Sequence, residues 1–191
     1  GKTAAFLLPV MHRILSMPPG DYIKALVIVP TRELAIQIAQ QTEGFGYYTS
    51  IGSLAVYGGG TGVDYSVEQR ALRTGADIVV CTPGRMISHL QMGQVKVEKL
   101  GFLILDEADR MLDMGFNDEI MPIISYLPPT RQSLLFSATM PSRIRDMARK
   151  ILKQPVEVNI ALSRPPEKIL QKAYVLNDHH KVAMVDYLTG N

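Results

Sequence analysis

The chain has 191 residues, 47% hydrophobic and 20% charged, which is enough apolar mass for a sizeable core. Its net charge of +2 permits a nucleic-acid partner without arguing for one. No apolar run approaches the ~18 residues of a membrane span, no signal peptide is visible, and the single cysteine excludes an internal disulfide and fits a reducing, cytoplasmic compartment.

The first predicted element is a helix. Gly1-Lys2-Thr3 leads directly into an amphipathic run, Ala4 to Leu15, in which Pro9 removes one backbone hydrogen bond. Gly-Lys-Thr ends the phosphate-loop pattern G-x-x-x-x-G-K-[ST]. In that loop backbone N–H groups cradle phosphates, the lysine reaches the β/γ oxygens and the hydroxyl ligates magnesium. The tripeptide alone is common in surface turns, but a helix that follows at once is the context the motif needs. The earlier residues of such a loop would lie upstream, so the chain is expected to be a fragment.

Apolar runs then alternate with helical patterns. Strands are expected at 25–29, 53–57, 77–80, 102–105, 133–136 and 156–160, and helices are expected to begin near Thr31, Asp64, Pro83, Ala108, Phe116 and Pro141. Thr31 suits a helix cap with Glu33 favourable in the first turn, while Pro83 and Pro141 suit first helical positions. Such alternation predicts an α/β fold, a mostly parallel sheet with helices on both faces. Cys81 reads as core filler. The segment 163–167, with two prolines, reads as a stiff linker. Beyond it, 169–176 reads as a strand and 180–188 as an amphipathic helix, the expected start of a second, truncated domain.

Asp106-Glu107-Ala108-Asp109 leave the carboxyl end of the 102–105 strand, where open α/β sheets bind ligands. Two adjacent carboxylates there suit nucleotide hydrolysis: one holds the magnesium that bridges the phosphates, the next positions and polarises the attacking water. The same acids would also favour a helix start, and the Gly-Lys-Thr helix tips the balance toward a nucleotide. Four more motifs follow strands on this edge: 30–35 (Pro-Thr-Arg-Glu-Leu-Ala), Gly58-Gly59-Gly60, Thr82-Pro83-Gly84-Arg85 and Ser137-Ala138-Thr139. Singly each is ordinary turn chemistry; together on one rim they favour a track for nucleic-acid phosphates that reads no bases.

Several other signals fall away. The run 58–62 has Val63 where a dinucleotide fingerprint needs its third glycine. Ser137 lacks a nucleophile elbow, His179-His180 lacks a third metal ligand, and the ten methionines form no stripe.

In this order after Gly-Lys-Thr, the segments 30–35, 58–59, 82–85, 106–109 and 137–139 resemble the first lobe of the DEAD-box ATP-dependent RNA helicases. The resemblance covers roughly residues 1–162, and the remainder, 168–191, is similar to the start of that family's second RecA-like lobe. It implies a RecA-like P-loop domain, two lobes that clamp ATP, Mg2+ and single-stranded RNA, and local duplex opening. It implies Gly1, Lys2 and Thr3 at the nucleotide, with Lys2 on the β/γ-phosphates and Thr3 and Asp106 at magnesium. Glu107 would activate the hydrolytic water, making Glu107, Asp106 and Lys2 the catalytic group. Asp109 would pair with Ser137 and Thr139 and couple hydrolysis to lobe closure. Pro30, Thr31, Arg32, Gly59, Thr82, Gly84 and Arg85 would contact RNA phosphates and sugars, whereas Glu33 would be an internal ion-pair or capping partner. The family's adenine-reading segment and its second-lobe arginines are not in this sequence, so the fragment alone is expected to be inactive. Two rival readings are a non-catalytic RNA-binding or partner-docking lobe and a P-loop motor acting on DNA.

Overall fold

Four-residue apolar runs are too short to alternate usefully, and burying them on both faces requires a sheet sandwiched between helices. In the computed structural model the strands are β1 (Ala25–Ile28), β2 (Ser53–Val56), β3 (Ile78–Cys81), β4 (Phe102–Leu105) and β5 (Gln132–Leu135). The structure describes residues 2–59, 62–93, 95–159, 170 and 172–190, with the side chains of 62–64 left aside. The five strands form one parallel sheet in the order β2-β3-β1-β4-β5. The three central strands are buried throughout, as their sequences require. Ile28 pairs with Cys81 and Leu105, Val56 with Cys81, and Leu135 with Leu105, so all five carboxyl ends finish on one level.

Alternate strand residues feed two cores. Ala25, Val27, Ile78, Val80 and Ile104 pack with α1 (Lys2–Ile14) and α2 (Arg32–Gly46). Leu26, Ile28, Val79, Cys81, Leu103 and Leu105 pack on the other face. There they meet α3 (Gly62–Thr74), α4 (Pro83–Gln91), α5 (Ala108–Asp113), α6 (Asn117–Tyr126) and α7 (Ser142–Ile151). Helix α1 runs through Pro9, whose ring sits on its exposed side and so displaces no core packing. Cys81 is fully buried, and burial pushes its thiol far up from its ordinary value, which makes it an inert packing group.

Thr31 caps α2 as predicted, accepting from the Leu34 N–H at 3.3 Å. Pro83 opens α4, while Pro141 caps α7 from one residue before it. Of the strand expected at 156–160, residue 160 lies outside the described residues and the rest does not form. Residues 156–159 have no regular structure, and Val156 and Val158 are 90% and 80% exposed. An apolar-polar alternation becomes a strand only when a neighbour takes its N–H and C=O groups, and β5 ends the sheet without such a neighbour among the described residues.

The chain divides into two compact units, 1–155 and 156–191. In the second, the strand expected at 169–176 is likewise absent: residues 170 and 172–176 carry no regular structure, and 169 and 171 lie outside the described residues. So does the linker segment 163–167. A 3₁₀ turn at Asp178–His180 leads into α8 (Lys181–Thr189), whose Val182, Val185 and Tyr187 are exposed. None of its residues is buried among the described residues, so the expected amphipathic helix shows no buried face there. Among the described residues, no helix is long and apolar enough to cross a membrane.

Candidate active site

The rim begins as a continuation of the sheet. Past the strand ends the ladder runs on through Val29 N–H to the Cys81 carbonyl at 2.9 Å and Thr82 N–H to the Val56 carbonyl at 3.0 Å. On the other side, Asp106 N–H reaches the Ile28 carbonyl at 3.0 Å and Phe136 N–H the Leu105 carbonyl at 2.8 Å. Each motif therefore leaves a rigid edge, so residues distant in sequence are held at fixed spacing.

Helix α1 is attached to the same edge. Phe6, one turn beyond Lys2, packs its ring 5.3 Å from that of Phe136. Lys2 and Thr3 thus lie in the first turn of a helix whose start faces the carboxyl ends, while Gly1 lies outside the described residues. Asp106 is 4% exposed and, among the described residues, accepts one hydrogen bond, from the Glu107 N–H at 3.0 Å. Burial pushes its carboxyl up from the ordinary value; the Glu107 N–H and the Lys2 ammonium pull the other way without reversing it. A buried carboxylate so poorly compensated fits a place beside a cation. A single carboxylate with a hydroxyl such as that of Thr3 would offer a sparse oxygen set, of the kind magnesium takes because that ion keeps several waters. Among the described residues, no cluster of three or more His, Cys, Asp or Glu side chains could hold a metal by itself.

Glu107 has an unusual backbone. At φ 53° and ψ 49° it is left-handed, a conformation that side chains other than those of Gly and Asn avoid. The kink turns the chain from β4 into α5 within one residue and aims the carboxylate outward, where it meets Arg110 Nη1 at 3.3 Å.

Asp109 ties the ends of β4 and β5 together. Its N–H donates to Ser137 Oγ at 3.2 Å, and its carboxylate accepts from Thr139 N–H at 3.0 Å and Thr139 Oγ1 at 2.9 Å. Ser137 Oγ in turn donates to the Thr139 carbonyl at 2.7 Å. Burial pushes the Asp109 carboxyl up, but bonds from the Thr139 hydroxyl, the Arg110 and Thr139 N–H groups and Ser137 hold it below its ordinary value on balance. A carboxyl so lowered stabilises the fold above its unfolded range and loses that contribution as pH falls through the lowered value.

The remaining rim residues are partly brought together. Gly58 and Gly59 are exposed; Gly59 has φ 90°, and an added Cβ there would meet nothing within 4 Å. The same openness holds at Gly84 in the first turn of α4, where backbone N–H groups lack helical acceptors. Thr82 takes the capping position of α4, but its side chain makes no capping bond. Arg32 lies over Tyr57, its guanidinium carbon 4.9 Å from the ring centroid. Pro30 is buried and offers the rim no side-chain surface. Glu33 is exposed in the first turn of α2, where its charge favours the helix start; of the two partner roles expected of it, the ion pair does not form among the described residues.

Sequence reasoning missed a cluster beside Thr82–Arg85, formed by Tyr65 and Glu68 of α3 with Arg85 and His89 of α4. The available signal was spacing: Arg85 and His89, four apart, place two nitrogen donors on one helix face and so need a carboxylate opposite.

Comparison with known proteins agrees with this geometry. A family model described as DEAD/DEAH box helicase matches residues 1–147. The chain is 44% identical over 161 residues to the human ATP-dependent RNA helicase DDX42, covering 83% of this chain and 17% of that protein. It is 43% identical over 163 residues to the ATP-dependent RNA helicase DBP2 of Scheffersomyces stipitis, 84% of this chain and 30% of the relative. It is also 43% identical over 178 residues to the ATP-dependent RNA helicase DeaD of Mycobacterium tuberculosis, 92% of this chain and 30% of that protein. The chain thus spans less than a third of the length of these relatives.

Proposed function

We infer that this chain, which belongs to the DEAD/DEAH box helicase family, carries the ATP-binding and RNA-gripping part of an ATP-dependent RNA helicase. The observation that supports this best is the shared rim. The first turn of α1, the buried Asp106, the outward Glu107 and the Asp109–Thr139 tie lie together at the carboxyl ends of β4 and β5. The open backbone at Gly59 and Gly84 follows β2 and β3 on the same edge.

In this reading Gly1, Lys2 and Thr3 bind the nucleotide phosphates, and Thr3 and Asp106 hold the Mg2+ that neutralises them. Glu107 orients the attacking water and takes its proton. Asp109, Ser137 and Thr139 transmit hydrolysis to lobe closure. Thr31, Arg32, Gly59, Thr82, Gly84 and Arg85 hold RNA phosphates and sugars, with Pro30 shaping the turn beneath them. Residues 1–162 would form the first RecA-like lobe, 163–167 the linker and 168–191 the start of the second. The RNA contacts are to the backbone and carry no base preference.

The full-length protein is expected to hydrolyse ATP with strong stimulation by single-stranded RNA and little by DNA of the same sequence. Equal stimulation by DNA would favour the DNA-motor reading, and RNA binding without hydrolysis would favour a docking lobe. A second expectation concerns coupling. The double change Ser137→Ala with Thr139→Ala removes the hydroxyl bonds to Asp109 yet touches no proposed nucleotide ligand. ATPase activity should stay within a few-fold, while duplex unwinding falls by about tenfold or more, as expected when a charge-assisted pair is lost. Parallel ATPase and unwinding assays decide, and proportional loss of both activities refutes the coupling role.

A further inference from the structure

Helices α3 and α4 share a nearly buried group of charges that the nucleotide site does not use. Glu68 is 8% exposed and His89 1%. One Glu68 oxygen, Oε2, accepts from Arg85 Nε at 2.7 Å and lies 2.9 Å from His89 Nε2. The Tyr65 ring stacks on His89, with centroids 4.3 Å apart and planes 10° from parallel. The Arg85 guanidinium carbon stands 4.4 Å from the centroid of the same ring. Arg85 is thereby held twice, by a charged hydrogen bond at Nε and by an aromatic face.

A surface arginine normally samples many rotamers, and a phosphate that captures it must oppose that freedom. Here the freedom is already removed. The arrangement also answers an electrostatic difficulty, since a lone carboxylate under a phosphate track would repel the ligand, whereas this one is paired. We propose that Glu68, with Tyr65 and His89, is a positioning residue of the RNA site, fixing Arg85 and with it the first turn of α4 that carries Gly84. The proposal rests on the reading above that Thr82–Arg85 meets RNA phosphates.

The test uses the full-length protein and two quantities: the RNA concentration that half-saturates ATPase stimulation, and kcat at saturating RNA. Glu68→Ala should raise the half-saturating concentration about tenfold, the effect of one charge-assisted hydrogen bond, while kcat at saturating RNA is retained. Glu68→Gln keeps an acceptor for Arg85 Nε and should restore RNA use to within about threefold of the parent, since a neutral acceptor bonds more weakly than a carboxylate. If Glu68 acts through Arg85, the double variant Glu68→Ala with Arg85→Ala should behave like Arg85→Ala alone.

Additive losses, or a weakened Arg85→Ala beside an unaffected Glu68→Ala, would overturn the proposal and leave the RNA reading standing. No effect of Arg85→Ala would remove Arg85 from the RNA track and overturn both. Should Glu68→Ala melt early, Tyr65→Leu carries the test, because it removes the stacked ring and keeps the carboxylate. A raised RNA requirement at unchanged kcat is expected from it, and an unchanged requirement overturns the proposal.

Discussion

Replacing Glu107 by Gln should slow ATP hydrolysis by about 10²–10⁴-fold, the usual contribution of a positioned general base, while ATP and RNA still bind. The exchange keeps size and hydrogen-bonding reach and removes the proton acceptor. Little else changes. Among the described residues Glu107 pairs only with Arg110, at 3.3 Å in a half-exposed i,i+3 contact, and such surface pairs contribute between about 0 and 1 kcal/mol. A loss of turnover can therefore be read as chemistry and not as unfolding. The complex with ATP and RNA should outlive that of the parent protein, measurable as slower RNA release. ATP binding and turnover falling together would instead make Glu107 structural.

Lys2→Ala should abolish most ATP-dependent activity. One preorganised donor lost from developing transition-state charge is worth about 10²–10³ in rate. The exposed side chain lies in the first turn of α1, and alanine is the best helix former, so the fold should be indifferent. Thermal melting of the variant should match the parent. The ammonium also acts on Asp106, whose carboxyl it pulls downward against burial. Removing it leaves that buried acid less able to stay ionised, so magnesium affinity should fall together with ATP affinity. Unchanged RNA-stimulated ATPase in Lys2→Ala would overturn the phosphate assignment.

What the residues disclosed and what they hid follow a physical line. The runs Ala25–Ile28, Ile78–Cys81 and Phe102–Leu105 are continuous apolar stretches, and only central parallel strands bury both faces, so the sheet was readable. The rim was readable because a parallel sheet puts every carboxyl end on one edge, whatever the loops contain. The stretch 156–160 misled because alternation reports a half-buried strand only when a partner is present, and sequence does not display partners. The Glu68 cluster was hidden for a related reason. In a polar helix Glu68 reads as a solvated charge, and only the packing of α3 on α4 turns it inward against Arg85 and His89. Asp109 is the contrary case: its partners lie 28 and 30 residues away, yet they follow the adjacent strand, so adjacency in the sheet substituted for adjacency in sequence.

The left-handed backbone of Glu107 bears on how such a protein can be improved. A side chain held there costs on the order of 1–3 kcal/mol, and glycine, or to a lesser degree asparagine, would recover part of it. A laboratory selection that rewards heat resistance alone would then drift toward glycine at position 107 and enrich robust, inactive variants. Screening for turnover in the same round would hold glutamate in place. The position is thus one where a library sorted by survival and a library sorted by activity should diverge in composition.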